Sequence, residues 1–239
     1  LLLLYMLPLL NKLPFKVQSE KPIEDITLEE FLAGQVLLVD KPLEWSSFQA
    51  VNKLKHFVRQ KFNLKKFKIG HAGTLDPLAT GLLIICTGKK TKIIEQFQGQ
   101  DKEYTGVITL GATTPSYDLE TEIDERFPTN SITAEQIQEC TKQFIGEITQ
   151  VPPIFSALKV DGKRAYKAAR LGEEIKMKSR QVHVHEFEVN SDKFPEVAFR
   201  IVCSKGTYIR SIAKDFGDAL NNGAHLSALR RTKIGEHQV

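Results

Sequence analysis

The stretch that most restricts the fold is Lys68-Ile-Gly-His-Ala-Gly-Thr-Leu-Asp-Pro-Leu-Ala-Thr-Gly-Leu-Leu-Ile-Ile-Cys-Thr-Gly88. Four glycines, at 70, 73, 81 and 88, surround one carboxylate, Asp76. Glycine opens backbone conformations closed to other residues and lets a neighbouring chain approach closely. Pro77 disfavours the α region at Asp76, which places the acid on an extended or turn segment. Leu82 to Cys86 is an apolar run of the length of a buried strand. The expectation is a tight loop over a rigid strand with one acid near its tip. Such loops commonly carry catalytic groups. Asp-Pro is equally a turn signal, and the residues alone leave open that Asp76 merely caps a turn. Gly88-Lys-Lys-Thr91 echoes the end of a phosphate loop but has no glycine at the required spacing before it, so that reading fails.

Charge is distributed unevenly. The net charge is only +4. Between Glu44 and Asp76, however, stand Lys53, Lys55, Arg59, Lys61, Lys65, Lys66 and Lys68 with no acid among them. A basic block beside the glycine loop suits an anionic partner such as a nucleic-acid backbone, or is a solvated face. The three cysteines, Cys86, Cys140 and Cys203, have no metal spacing and read as reduced thiols of a cytoplasmic protein. His183 and His185 share one side of a strand, but no second ligand pair accompanies them, and neither metal nor cofactor is expected. The apolar opening, Leu1 to Leu10, is far short of a membrane span and has no signal-peptide character.

Along the chain, residues 1–33 read as a poorly ordered extension and the folded domain as 34–239. Val36 to Val39 is a strand, and Asp40-Lys41-Pro42 a turn. Ser46 or Ser47 caps a helix with apolar positions 48, 51, 54 and 58. Thr91 to Phe97 is a short helix. Lys102 to Leu110 is a strand with Tyr104, Gly106, Ile108 and Leu110 on one side. Thr133-Ala-Glu-Gln136 is a capping box opening a helix that Gly146 ends. Asp161-Gly162 is a hairpin turn, and Tyr166 to Leu171 is helical. Gln181 to Val189 and Glu196 to Cys203 are strands. Gly206-Thr207 starts a helix with Ile209, Ile212, Ala213, Phe216 and Leu220 inward. This is an α+β pattern around a mixed, largely antiparallel central sheet, with flanking helices and loops around a catalytic cleft.

Gly-His-Ala-Gly-Thr-Leu-Asp-Pro-Leu-Ala-Thr-Gly81 strongly resembles the catalytic motif of the TruB family, the bacterial tRNA pseudouridine-55 synthases. Lys41-Pro42 with Trp45-Ser46-Ser47, Asp101-Lys-Glu-Tyr104 and the segment from Gly111 to Asp118 resemble further family motifs. So do the Pro-Pro-x-Phe-Ser-Ala-x-Lys pattern, Gly206-Thr-Tyr-Ile-Arg210 and Gly223-Ala-His-Leu-Ser-Ala-Leu-Arg-Arg231. The family glycine shortly after the acid of the 111–118 motif is replaced here by Leu119-Glu-Thr. The resemblance covers roughly Gly34 to Gly235 and implies the pseudouridine synthase fold. No complete C-terminal PUA domain is expected.

The resemblance further implies roles. Asp76 is the catalytic nucleophile or base, Tyr104 stacks on the target base, and Arg210 lies beside the acid as its counter-charge. His71 fills the gap left by the flipped base, and Leu229 lies near that base. Asp118 belongs to the substrate loop. Charge, and not the resemblance, assigns Lys41 and the basic block with Lys53 and Arg59 to phosphates of the tRNA T-arm. The expected activity is cofactor-free isomerisation of uridine 55 in the T-loop, by a monomer needing neither membrane nor protein partner. A non-catalytic tRNA-binding chaperone, or a related synthase acting on another RNA, is the alternative.

Overall fold

A computed structural model describes residues 13–160, 162–172 and 175–239. The opening Leu1 to Leu10 segment and Asp161 of the hairpin lie outside the described residues. Two compact units emerge, one of residues 13–100 with Arg230–Val239, the other of Asp101–Leu229. The sequence had implied one domain from residue 34 onward.

In the first unit, β1 (Val17–Gln18) is followed by α1 (Leu28–Ala33), β2 (Val36–Lys41), α2 (Ser47–Lys61), β3 (Ile69–His71), β4 (Ala79–Thr87) and α3 (Ile94–Gly99). In the second come β5 (Lys102–Leu110), β6 (Ala112–Thr113), β7 (Glu125–Arg126), α4 (Ala134–Cys140), β8 (Gly146–Gln150), β9 (Lys159–Val160), β10 (Lys163–Arg164) and α5 (Ala165–Arg170). Then follow β11 (Arg180–Lys193), β12 (Glu196–Cys203), α6 (Ile209–Ala219), β13 (Ala224–Ile234) and β14 (His237–Gln238), the last two returning the chain to the first unit.

The first unit is built on β4. All of Gly81 to Gly88 is buried, as expected for a strand covered on both faces. It pairs antiparallel with β2, Val39 opposite Leu83, and with β3, Gly70 opposite Cys86. One face of this sheet packs on Ala50, Val51, Leu54 and Val58 of α2. Ser46 caps that helix, accepting from the Gln49 amide at 3.2 Å while the Gln49 side chain accepts from the Ser46 amide at 2.8 Å. Phe48 does not face inward as its spacing suggested; it is 69% exposed, and Ala50 takes the inner position.

The expected boundary at residue 34 does not separate an extension from the core. Leu13, Phe15 and Val17 pack against the same cluster as buried Ile23, Ile26 and Phe31. Phe15 meets Trp45 edge-on at 5.8 Å, and Thr27 with Glu30 forms a capping box for α1. Apolar residues spaced among acids look like a linker, yet most of them join this core cluster, while Leu32 stays exposed.

The second unit is an antiparallel sheet in the order β5-β12-β11-β8. Thr133 and Gln136 form the expected capping box at the head of α4. Phe187 of β11 anchors the interior, with Phe216 of α6 at 5.6 Å, Phe144 at 6.0 Å and Phe199 of β12 at 6.5 Å between ring centroids. No helix among the described residues is long and apolar enough to cross a membrane.

Candidate active site

Asp76 lies between β3 and β4, half-buried and outside any helix, with its carbonyl accepting from the Ala79 amide at 3.0 Å. Every neighbour along the loop is held. The buried Ser47 hydroxyl accepts from the Leu75 amide at 2.8 Å and donates to the Leu75 carbonyl at 3.1 Å. The Pro77 carbonyl accepts from the Glu44 amide at 2.8 Å and from Lys41 Nζ at 3.5 Å. Arg231, 2% exposed, donates from Nη2 to Gly73 at 3.2 Å, from Nη1 to Thr74 at 3.4 Å and from Nε to the Leu82 carbonyl at 2.8 Å. A buried guanidinium satisfied by carbonyls acts here as a fixed brace for the loop.

Gly81 is what admits that brace. Its φ is 98°, and a Cβ there would lie 2.2 Å from the Arg231 carbonyl oxygen. Any side chain would push Arg231 off the loop. Beside it, Arg230 grips Asp40 of β2 through two bonds of 2.9 Å. Neither pairing was anticipated, because 149 residues separate Arg231 from Leu82 and 190 separate Arg230 from Asp40. The Arg-Arg doublet at the end of the last motif is the signal that could have flagged them.

Lys41 departs from its expected role. It ends a strand where a turn was predicted, is 0% exposed, and donates to the Pro42 carbonyl at 2.9 Å and the Trp45 carbonyl at 2.6 Å. An ammonium so enclosed holds the loop together and does not meet a phosphate. Burial pushes its pKa down to about 8, with Asp76 pulling upward and Arg231 adding to the depression. His71, half-buried on β3, is likewise held below the ordinary histidine value, first by burial and then by Arg231. Its ring is thereby biased toward the neutral form.

Of the basic block, Arg59, Lys65, Lys66 and Lys68 are exposed and Lys53 and Lys55 half-buried. Arg59 Nε donates to the Leu64 carbonyl at 3.1 Å, and Lys61 bonds the Glu24 carbonyl, tying the chain before α1 to α2.

In the second unit, Tyr104 faces inward on β5, 9% exposed, opposite Ile201 of β12. Leu229 is half-buried on β13. Arg210, 3% exposed in the first turn of α6, donates to the Phe155 carbonyl at 2.9 Å and the Ser116 carbonyl at 3.2 Å. Its Nε lies 3.5 Å from Asp118 Oδ2. Asp118, expected on the substrate loop, is 4% exposed, and its other oxygen accepts from the Glu120 amide at 2.9 Å. Loop closure around it needs a left-handed Tyr117, φ 63°, whose carbonyl accepts from the Leu226 amide at 2.9 Å. The acid thus braces Arg210. His183 and His185 stand 4.6 Å apart, His185 Nε2 reaching Asp101 at 3.1 Å. Among the described residues, no group of three or more potential ligands could hold a metal ion.

Residues 59–209 match the TruB family pseudouridylate synthase (N terminal domain). The chain belongs to this family. It is an RNA pseudouridine synthase, and the glycine loop carrying Asp76 is the motif on which the resemblance was drawn. A Flavobacterium johnsoniae protein named tRNA pseudouridine synthase B is 66% identical over 215 residues, covering 90% of this chain and 94% of that protein. A Phocaeicola vulgatus protein of the same name is 56% identical over 206 residues, covering 86% and 88%. Among solved structures, a Cbf5-Nop10-Gar1 complex contains a chain superposing with a TM-score of 0.63 at 27% identity. That match covers 95% of this chain and 61% of the other, so this chain spans about three fifths of that chain's length.

Proposed function

We propose that this protein converts uridine 55 in the tRNA T-loop to pseudouridine, with Asp76 as the catalytic acid group. The observation that carries the reading is the carboxylate itself. It is half-buried on a loop whose residues 73, 74, 75 and 77 are each bonded by Arg231, Ser47, Glu44 or Lys41. A turn cap has no need of such bracing, whereas a reacting group does, since productive geometry tolerates little displacement. The relatives' names supply the tRNA.

The reaction frees uracil at N1, rotates it and rejoins it through C5 to the same ribose carbon, with no net hydrolysis or redox change. Asp76 either attacks that carbon or removes a ribose proton. Extruding the base from a folded loop costs a few kcal/mol, and stacking on Tyr104 offsets about 1–3 kcal/mol of it. His71, neutral through burial, fills the place left by the base, and Leu229 contacts the base. Arg210 serves as the guanidinium that keeps the catalytic carboxylate ionised and oriented. Its rigidity rests on Asp118 and two carbonyls. Lys53 and Arg59 contact T-arm phosphates, which set affinity and register without reading sequence.

Incubating the purified chain with unmodified tRNA transcript and mapping pseudouridine nucleotide by nucleotide tests this reading. One T-loop uridine should convert, and Asp76→Asn should abolish conversion while binding stays within about tenfold, because losing one negative charge cannot weaken phosphate contacts. Conversion near the wild-type rate by Asp76→Asn removes Asp76 from the chemistry. A transcript modified elsewhere, or left unmodified by the wild type, removes the substrate assignment.

A further inference from the structure

The second unit holds a guanidinium edge that none of the described residues bonds. Arg180 opens β11 directly across from Gln150 of β8. Gln150 is fully buried and holds the Tyr208 backbone from both sides. Its Nε2 donates to the Tyr208 carbonyl at 3.0 Å, and its Oε1 accepts from the Tyr208 amide at 2.7 Å. On the ring fixed in this way rests the Arg180 guanidinium, 4.6 Å from the centroid. Its Nη1 faces Gly206, where an added Cβ would lie 3.4 Å away. Both Nε and Nη2 are buried and make no hydrogen bond.

Those two nitrogens flank one edge of the planar group. It is the edge that presents two parallel N–H donors to an oxyanion. Charged donors kept dry and unbonded destabilise a fold, so their retention in a stacked, oriented pose points to a ligand. Charge defines which ligand. Residues 175–185 and 203–210 carry Lys176, Lys178, Arg180, Lys205 and Arg210 and no acid, with Lys176, Lys178 and Lys205 exposed. We propose that the Nε/Nη2 edge of Arg180, set by stacking on Tyr208 and covered in the free protein, is uncovered as RNA docks and receives a phosphodiester of the substrate through two parallel hydrogen bonds. The inference rests on the RNA-modifying reading above and adds a positioning contact to it. Because Tyr208 immediately precedes α6, a phosphate seated there is registered against the helix that carries Arg210.

Filter binding of a T-arm RNA hairpin across a salt series, with single-turnover pseudouridine formation and thermal melting, tests it on Arg180→Gln and Arg180→Lys. The Gln variant should bind about tenfold or more weakly, and its slope of log affinity against log salt should fall by about 0.7–0.9, the value of one phosphate contact. The Lys variant should keep the slope but regain only part of the affinity, since a point charge cannot replace a planar fork. Neither variant should melt markedly lower than wild type, because the Nε and Nη2 donors removed make no hydrogen bond to the described residues. Wild-type affinity and slope in the Gln variant overturn the proposal while pseudouridine formation by the wild type upholds the wider reading. A lowered melting temperature or a collapsed fold with an unchanged slope also overturns it, making Arg180 a prop for Tyr208. A wild type that neither binds nor modifies the hairpin overturns both.

Discussion

Replacing Ser47 by Ala removes one oxygen from a buried position and two hydrogen bonds from the residue preceding Asp76. The Leu75 amide and carbonyl, bonded at 2.8 and 3.1 Å, both lose their partner. Each buried backbone group left unpaired costs about 1–3 kcal/mol, so a rigid loop would lose about 2–6 kcal/mol. The loop is not wholly rigid and can swing Leu75 toward water, which brings the stability loss toward about 2 kcal/mol at the expense of moving Asp76. A displacement of about 1 Å at a reacting group can cost about a hundredfold in rate. We therefore expect Ser47→Ala to lose about 2 kcal/mol in urea unfolding and to slow single-turnover pseudouridine formation by about ten- to a hundredfold, with tRNA affinity unchanged. Ser46→Ala is the control. It removes the cap of the same helix, costing about 1 kcal/mol, but leaves the Leu75 clasp in place and should leave the rate alone. A Ser47→Ala enzyme that is destabilised yet turns over at the wild-type rate would refute the reasoning, because the clasp would then serve the fold and not the carboxylate.

The buried Lys41 gives a pH signature. Its folded pKa of about 8 lies below the ordinary lysine value of 10.5, so between these values the unfolded chain binds more protons and stability rises with pH. From pH 8 to 9 this contributes about 1 kcal/mol, which wild type should show and Lys41→Met should lack in chemical denaturation; parallel curves for the two would discard the assignment. Above pH 9 the raised thiols lower stability with pH in both proteins, since burial pushes Cys86 and Cys140 up to about 11 and the folded state keeps protons that the unfolded chain loses. Neutralising Lys53, Lys55 and Arg59 together should weaken tRNA binding and reduce its salt slope by up to about 0.7–0.9 per true phosphate contact. A wild-type slope in the triple variant would leave these charges as a solvated face.

Much of the local structure was legible from neighbouring residues. β12 runs from Glu196 to Cys203 as its alternation indicated, and the Ser46 and Thr133 caps open the helices their spacing announced. Caps, strand alternation and glycine turns are decided within a few residues of chain, so they can be read there. The glycine loop and its acid were legible for the same reason. Where two local signals were equivalent, sequence could not choose. Phe48 fitted the helical stripe of positions 51, 54 and 58, yet Ala50 packs into the core cluster and Phe48 stays exposed. Charged residues were the hardest to place. Lys41 looked like a phosphate ligand and Asp118 like a substrate-loop acid, and both are buried. Whether a charge meets solvent or a carbonyl depends on what the rest of the chain brings to it, and those partners are remote in sequence. Ser47 meets Leu75 across 28 residues, Arg210 reaches the Ser116 carbonyl across 94, and Arg231 reaches Leu82 across 149. The chemistry of the loop was therefore written locally, whereas the braces that hold its acid still were decided only by the tertiary fold, because buried polar groups must be satisfied by whichever groups packing places beside them.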